Sequence, residues 1–594
     1  MTDSWSDTIE ERPWRLRPAI LALAGLLAAL AVQQLTDRGL DYGQIVQPLA
    51  FWRYALASGI GAGALAFGFG LERVRWAWSA VFGLAIGVVV ALVIYWNGAP
   101  AGGGFPWDWS AASLLLSVAI FVPLFQTARD EGRARFPYPD VHSHAWTNVV
   151  LWCACWAFVG IVIALAWLLA SLFELIGLTF LRRLLDHDWA IAMLVGASFG
   201  AALGLLRDRD RVVRLLQRVV TAVLAVLAPV LALGLGIFLL ALPFTGLHAL
   251  WDATKATTPI LLSCVIGGLI LANAVIGNGV EDELRNPVLR GGGIVLALCL
   301  LPLAVIAAIA TGLRIGQHGF TPDRLWAVVF VAFAAAYGLA YLASLVRGRG
   351  DWARFARPAN LHLAFAVAGV ALFLAMPILS FNSISARDQV ARLQSGKIGV
   401  SDFDWAALAF DFGDPGRAAL KRLAASANPA LKARATEVAA KTSRWDVTSI
   451  DQSRKNADAL VGRLRVLPDT APVPEDLREL LGQWSACGGN DTIPCTLLFS
   501  ADGTEAFAID GDCGPSAKAK SDSLLFDVGG ANCSVARFHR EGAAWKDGAP
   551  PAAAPSAQAL AQRKADLAAG KVEVRTVPRR QVFIGGKPVG DSFE

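Results

Sequence analysis

The sequence predicts a polytopic α-helical membrane protein of about eleven transmembrane helices carrying a C-terminal soluble α+β domain. Three observations predict it. Residues 18–379 form a near-unbroken series of apolar stretches, short arginine-bearing loops separate those stretches, and residues 380–594 are ordinary mixed sequence.

A hydrocarbon core roughly 30 Å thick requires about 20 apolar residues of helix. Inside lipid every backbone polar group must also be bonded within its own segment, so helices are the expected form. Windows of about 19 residues place spans at 18–35, 54–71, 76–96, 110–128, 146–178, 189–206, 219–243, 257–277, 291–313, 325–346 and 361–379. The second is the shortest, and the fifth is long enough to tilt or project. Residues 1–17 read as a cytoplasmic segment. Arg12, Arg15 and Arg17 precede the first apolar run as in a secretory signal. No small-residue cleavage site follows, however, and ten more apolar stretches do, so the run is expected to stay as an anchor.

Lys and Arg are retained on the cytoplasmic side, which sets orientation. With the N-terminus inside, the cytoplasmic loops and helix ends hold 19 arginines, from Arg12 to Arg357, against 7 cations opposite: Arg38, Arg53, Arg182, Arg183, Lys255, Arg314 and Arg324. An odd number of crossings then puts the tail outside, in the periplasm of a Gram-negative cell. The net charge of +5 is largely this topology signal, its arginines meeting anionic headgroups. The tail holds 27 Lys and Arg against 26 Asp and Glu, so it offers no basic field for nucleic acid.

Cysteine placement agrees with an exported tail. Cys153, Cys155, Cys264 and Cys299 lie in apolar spans as small buried hydrophobes. Cys487, Cys495, Cys513 and Cys533 all lie in the tail, where an oxidising compartment would allow disulfides. Three pairings exist, and loop length and turn residues favour Cys487 with Cys495 and Cys513 with Cys533. A zinc site is the rival, but the short CxxC spacing is missing.

Within the tail, 380–470 reads as helical and 471–594 as a β-rich disulfide-bearing module. Helices are expected at 384–393, 415–426, 429–441, 452–465 and 475–484, with Asp414 and Asn428 as N-caps, each followed by proline. Strands are expected at 496–499, 505–509, 524–528, 535–539, 572–577 and 581–584, with a hairpin tip at Gly585-Gly586 and a flexible Ala/Pro loop over 549–561.

Particular residues resemble a known family. They are His144-Ala145-Trp146-Thr147-Asn148, Leu172 through Leu178, the turn Gly319-Phe320-Thr321-Pro322-Asp323-Arg324-Leu325-Trp326, Pro377 through Asp388, and Phe410-Asp411-Phe412-Gly413. Together they resemble bacterial multispanning proteins grouped as domain of unknown function 4153. The resemblance covers most of the membrane half and the start of the tail. It implies an inner-membrane protein and brings no activity, substrate or catalytic residue.

Ionisable groups at membrane depth are functional candidates by default. Glu174 sits in an apolar run, with Arg182 and Arg183 about two turns later; the plain reading is an interfacial ion pair that ends a long helix. Arg314, His318, Thr321, Asp323 and Arg324 gather in one outer loop. Thr321 before Pro322 is an N-cap, while Arg314 and Arg324 suit an acidic group of the tail or an anionic ligand. Asp140, His142 and His144 would share one face if extended, but without a fourth ligand no metal is expected. His248, Trp251 and Asp252 read as an interfacial belt. Asn273, Asn278, Glu281, Asp282 and Glu283 are expected to end the eighth span facing water. Asp510-Gly511-Asp512 reads as a turn, since the twelve-residue calcium loop is absent.

No GxxxxGK[ST], GxSxG or HExxH occurs, and no cofactor is expected. The balance favours a non-enzymatic envelope protein that displays a periplasmic domain. Its expected partners are the lipid bilayer and an envelope protein or a second copy of the chain, the latter through the small-residue second span with Gly59, Gly61, Gly63, Gly68 and Gly70. The alternatives are a secondary transporter of a small solute, with Pro123, Pro229 and Pro302 breaking helices at a midplane site, and a lipid-handling enzyme using Arg314, Asp323 and Arg324.

Overall fold

The structure, a computed structural model, describes residues 14–37, 50–98, 109–246, 256–279, 281–284, 286–483, 486–487, 495–515, 531–548, 579–584 and 586–593. The chain divides into two compact units, Met1–Gln394 and Ser395–Glu594. The expected strands at 524–528 and 572–577, the loop at 549–561 and the interfacial group at His248 lie outside the described residues, as do the side chains of Cys513 and Cys533.

The first unit is helical: α1 (Arg17–Thr36), α2 (Phe51–Gly70), α3 (Trp76–Asn97), α4 (Trp109–Glu131), α5 (Tyr138–Leu175), the short α6 (Phe180–Leu185), α7 (Asp188–Arg207), α8 (Asp210–Thr245), α9 (Thr257–Ile276), α10 (Pro287–His318), α11 (Pro322–Gly348), α12 (Ala353–Ala375) and α13 (Phe381–Gln394). This is a polytopic helical membrane protein. Among the described residues eleven helices have 20 residues or more, and 10 of them are apolar enough to cross a membrane by length and composition. The exception is α2, whose glycines dilute its hydropathy. Its packing nevertheless fixes its depth. A Cβ on Gly59 would fall 2.5 Å from Gly87 O and one on Gly63 2.8 Å from Gly83 O, so α2 runs antiparallel to α3 along the same thickness. Gly59 and Gly63 thus meet α3 of the same chain, while Gly68 and Gly70 meet Leu203 and Phe125.

Small residues set the other tight contact too. Gly196, Gly200 and Gly204, four apart on α7, face Gly25, Leu21 and Pro18 of α1, and no side chain fits between the two backbones. One core gathers α1, α2, α4, α5 and α7 around Leu21, Leu151, Phe199 and Leu203. A second gathers α8 to α11 around Leu261, Leu296, Leu300 and Tyr341. Helix α12 joins them: Ser113 and Ser117 of α4 donate to Ala371 O and Ala368 O at 2.8 and 3.0 Å. Pro123, Pro229 and Pro302 lie inside helices that continue through them, so these are not the interrupted helices of a midplane site.

Helix-end bonds sort the loops into two faces. On one, Arg17 pairs with Glu72 and, at 3.0 Å, with Asp208. There Arg207 donates to Phe69 O at 2.5 Å and Arg129 to Gly70 O, Phe136 meets Phe365 edge-on at 5.2 Å, and Arg357 donates to Ile276 O at 2.5 Å. On the other, Asn97 donates to Ala375 O at 2.8 Å, Trp109 to Asp323 at 3.0 Å and the Phe320 amide to Asp388 at 2.8 Å. The start of α1 and the end of α12 therefore lie on opposite faces of the unit.

The second unit is α+β. A π-helical turn at Ala407–Asp411 precedes α14 (Gly413–Ala424), α15 (Pro429–Ala439), α16 (Arg444–Ala459) and α17 (Glu475–Leu481). Asn428 and Ser443 cap α15 and α16. Asp414 does not cap: α14 begins one residue earlier, and Asp414 sits in its first turn bonded to Arg417 at 2.6 Å. The expected helix at 452–465 also ends early, and its last residues form β1 (Leu464–Leu467), parallel to β2 (Cys495–Phe499). Antiparallel β3 (Glu505–Pro515), β4 (Ala531–Glu541) and β5 (Ala544–Asp547) complete a sheet of order β1-β2-β3-β4-β5, and β6 (Arg580–Ile584) pairs with β7 (Lys587–Phe593). Alternation divides the sheet's faces. Leu497, Ala506, Ala508 and Phe538 pack on Leu477 and Leu481 of α17, while Phe507 and Ile509 pack on Val582 of β6. Cys487 and Cys495 form a disulfide buried in the helix-side core.

Candidate functional site

The outer loop singled out in the sequence is the joint between α10, α11 and α13. Chain reversal after α10 needs a left-handed residue, and Gly319 supplies it at φ +75°. A Cβ there would also press on Arg392 Cδ and Gln389 Nε2, at 2.7 and 2.8 Å. Thr321 opens α11 by accepting the Arg324 amide at 3.4 Å, with Pro322 in the first turn. The turn's polar backbone is then matched by side chains. Gln389 donates to His318 O and Phe320 O at 2.8 and 3.0 Å, Arg392 to Gln317 O at 2.6 Å, Arg324 to Gly319 O at 2.8 Å, and Asp388 accepts the Phe320 amide. The acidic group of the tail that meets this loop, Asp388, thus binds backbone rather than Arg314 or Arg324. Asp323 is held by Trp109, whose ring lies 6.1 Å from Trp326, itself 5.2 Å from Phe381. Arg314 makes no hydrogen bond or ion pair among the described residues.

Glu174 is exposed in the last turn of α5. The Arg182 guanidinium turns elsewhere, 4.8 Å from the Trp167 ring and 3.7 Å from Asp186. The structure therefore does not bring Glu174 and Arg182 together.

On the arginine-rich face, α5 starts at Tyr138 behind Pro137, so the run Asp140, His142, His144 is helical and its histidines diverge. His142 accepts from Trp146 Nε1 at 2.6 Å, and His144 lies 3.0 Å from Asp130. Asn148 and Gln126 exchange amide bonds at 2.8 and 3.1 Å. Asn273 does not face water. It donates to the buried Tyr341 hydroxyl at 2.9 Å and accepts from Asn360 at 2.7 Å, while Glu283 pairs with Arg357 at 3.1 Å. The cue in the sequence was polar residues at helical spacing inside apolar runs; their pairing lies 68 and 87 positions apart. Two grooves open on the helical unit, one of about 840 Å³ beside Pro302 and one of about 220 Å³ beside Trp152 and Trp156, both lined by apolar side chains.

In the second unit Glu505 receives Arg537 and Arg580, the latter at 2.9 Å, and clamps β6 onto the sheet. Burial pushes its carboxyl up, but the two guanidiniums outweigh burial and hold it below the usual carboxylate range.

The α10–α11 turn, the start of α13 and His144–Asn148 of α5 fall in the segments of family resemblance, and over residues 21–431 the chain matches the family described as Domain of unknown function (DUF4153). The chain belongs to the DUF4153 family. No curated protein and no solved structure matches it. The DUF4153 region runs from α1 into α15 and so includes both faces of the helical unit and the α13 joint. The disulfide and the whole β-sheet lie beyond it. Asp411 of the DUF4153 region pairs with Arg444, which lies beyond it, and Gly413 opens α14 at φ +59°.

Proposed function

We propose that the protein resides in a bacterial inner membrane with its N-terminus cytoplasmic, and displays its C-terminal domain in the periplasm, where that domain engages an envelope component without catalysing a reaction. The observation that carries this reading is arginine asymmetry, 19 against 7, on a helical unit whose first and last long helices have their chain ends on opposite faces. The depth of α2, matched to α3 by paired glycines, supports an odd number of crossings. A disulfide in the second unit suits an oxidising compartment.

Trp445 and Phe583 are large apolar side chains exposed on the second unit, at 77% and 61%. Photocrosslinking residues placed at those positions in the full chain, in intact cells, are expected to give discrete adducts with an envelope protein. Folded, exported protein that gives no adduct from either position contradicts the reading.

A further inference from the structure

The face opposite Arg17 is poor in cations, and most of its described ones are explained by protein partners. Arg53 donates to Gln34 O at 2.6 Å and Arg182 pairs with Asp186. The exceptions are Arg183, exposed on α6, and Arg314 at the joint. Arg324 and Arg392 donate to carbonyls of one turn, Gln317 through Gly319, and Arg314 stands one helical turn before His318 on α10. Around this one turn Arg324 is repelled by Arg314 and Arg392 and attracted more weakly by Asp323. The nearby carboxylates do not bridge Arg314 and Arg324: Asp323 is bonded to Trp109 and Asp388 to the Phe320 amide. A helix rises about 1.5 Å per residue, so Arg314 sits roughly 6 Å deeper than the turn. Trp109, 44% exposed, lies at the same end of the helices against the buried Trp326, and an exposed tryptophan at a helix end settles at the headgroup level of a bilayer.

We infer that Arg314 and Arg324 form a binding site for the phosphate of an anionic phospholipid headgroup at the rim of the α13 joint. Guanidinium forks match phosphate oxygens, and long cationic side chains reach the interface by extending along the helix. The lipid phosphate would relieve the repulsion and hold the α13 joint at the bilayer surface. The inference needs only the joint and the aromatic level, so it stands or fails separately from the compartment assigned to the tail.

The test is native mass spectrometry of the full chain released from nanodiscs of phosphatidylcholine with phosphatidylglycerol, compared with an Arg314→Gln/Arg324→Gln variant. Retained phosphatidylglycerol is expected to fall about fivefold per arginine removed, while Arg182→Gln leaves it unchanged. Ten-fold excess inorganic phosphate added before release is expected not to displace the lipid; displacement would assign the site to a soluble phosphate and overturn the headgroup assignment. Equal retention by wild type and the double variant overturns the site itself. Should the double variant fold poorly, wild type serves alone: its preference for phosphatidylglycerol over phosphatidylcholine is expected to weaken with rising salt, and a salt-independent preference contradicts the inference.

Discussion

The two units use arginine differently. In the helical unit guanidiniums cap helix ends: Arg207 and Arg129 on α2, Arg357 on α9, and Arg324 on the last carbonyls of α10. In the second unit they join carboxylates between elements: Arg434 with Asp451, Arg454 with Glu479, Arg444 with Asp411, and Arg537 with Glu505. The division is one of emphasis: Arg17, Arg207, Arg129, Arg357 and Arg182 of the helical unit also pair with carboxylates, and Arg463 of the second unit donates to Cys487 O. The difference follows from solvent. The last four carbonyls of a helix lack partners and carry partial negative charge. Water satisfies them in a soluble domain, whereas at the edge of a bilayer buried among other helices a charged donor must. Several arginines of the arginine-rich face are accordingly structural, with Arg17 and Arg129 only 5% and 3% exposed, and do not meet headgroups as the sequence had suggested.

The sharpest way to break that comparison is to remove one arginine of each kind. Arg357→Met strands Glu283 and two carbonyls in a buried site and is expected to destabilise the helical unit by about 3 kcal/mol. Arg444→Met breaks a pair about half exposed on both sides and is expected to cost below about 1 kcal/mol. Thermal unfolding in detergent, with proteolysis of each unit as the readout, checks both; equal effects would dissolve the distinction.

Next in size is packing. Gly200→Leu inserts a side chain where α7 touches the α1 backbone and is expected to destabilise the helical unit by about 2 kcal/mol or more, leaving the Cys487–Cys495 bond oxidised. A variant with wild-type melting would show that the glycine contact is not close.

The smallest effect is acid sensitivity of the second unit. Glu505 is held below the usual carboxylate range in the folded state by Arg537 and Arg580, so its contribution is full above the unfolded value and is lost as pH falls through the lower, folded one. Stability measured from pH 6 to 3 should decline less in Glu505→Gln than in wild type, although the variant starts less stable. Parallel decline in both would remove Glu505 from the clamp.

The spans were legible because each needs a long apolar run, and the eleven long helices stand where such runs occur. Thr321 and Asn428 were legible as caps because a cap and its amides lie within three residues. What sequence did not disclose depends on distant neighbours. Asn273 looks like a water-facing helix end until Tyr341 and Asn360 are placed beside it. Leu464 to Leu467 continues a helical pattern and becomes a strand only because β2 is there to pair with it. The joint was half legible: the turn and Asp388 both stood out, yet nothing in the order of residues says that Asp388 holds the Phe320 amide rather than an arginine.

The account depends most on the two chain ends of the helical unit opening into different compartments. Alkaline phosphatase and green fluorescent protein fused in turn after Glu594 test it most directly. The expected result is an active phosphatase and a dark fluorescent protein, with the reverse pattern for fusions after Arg207 on the arginine-rich face. A fluorescent, phosphatase-negative C-terminus would contradict the account and return the second unit to the cytoplasm.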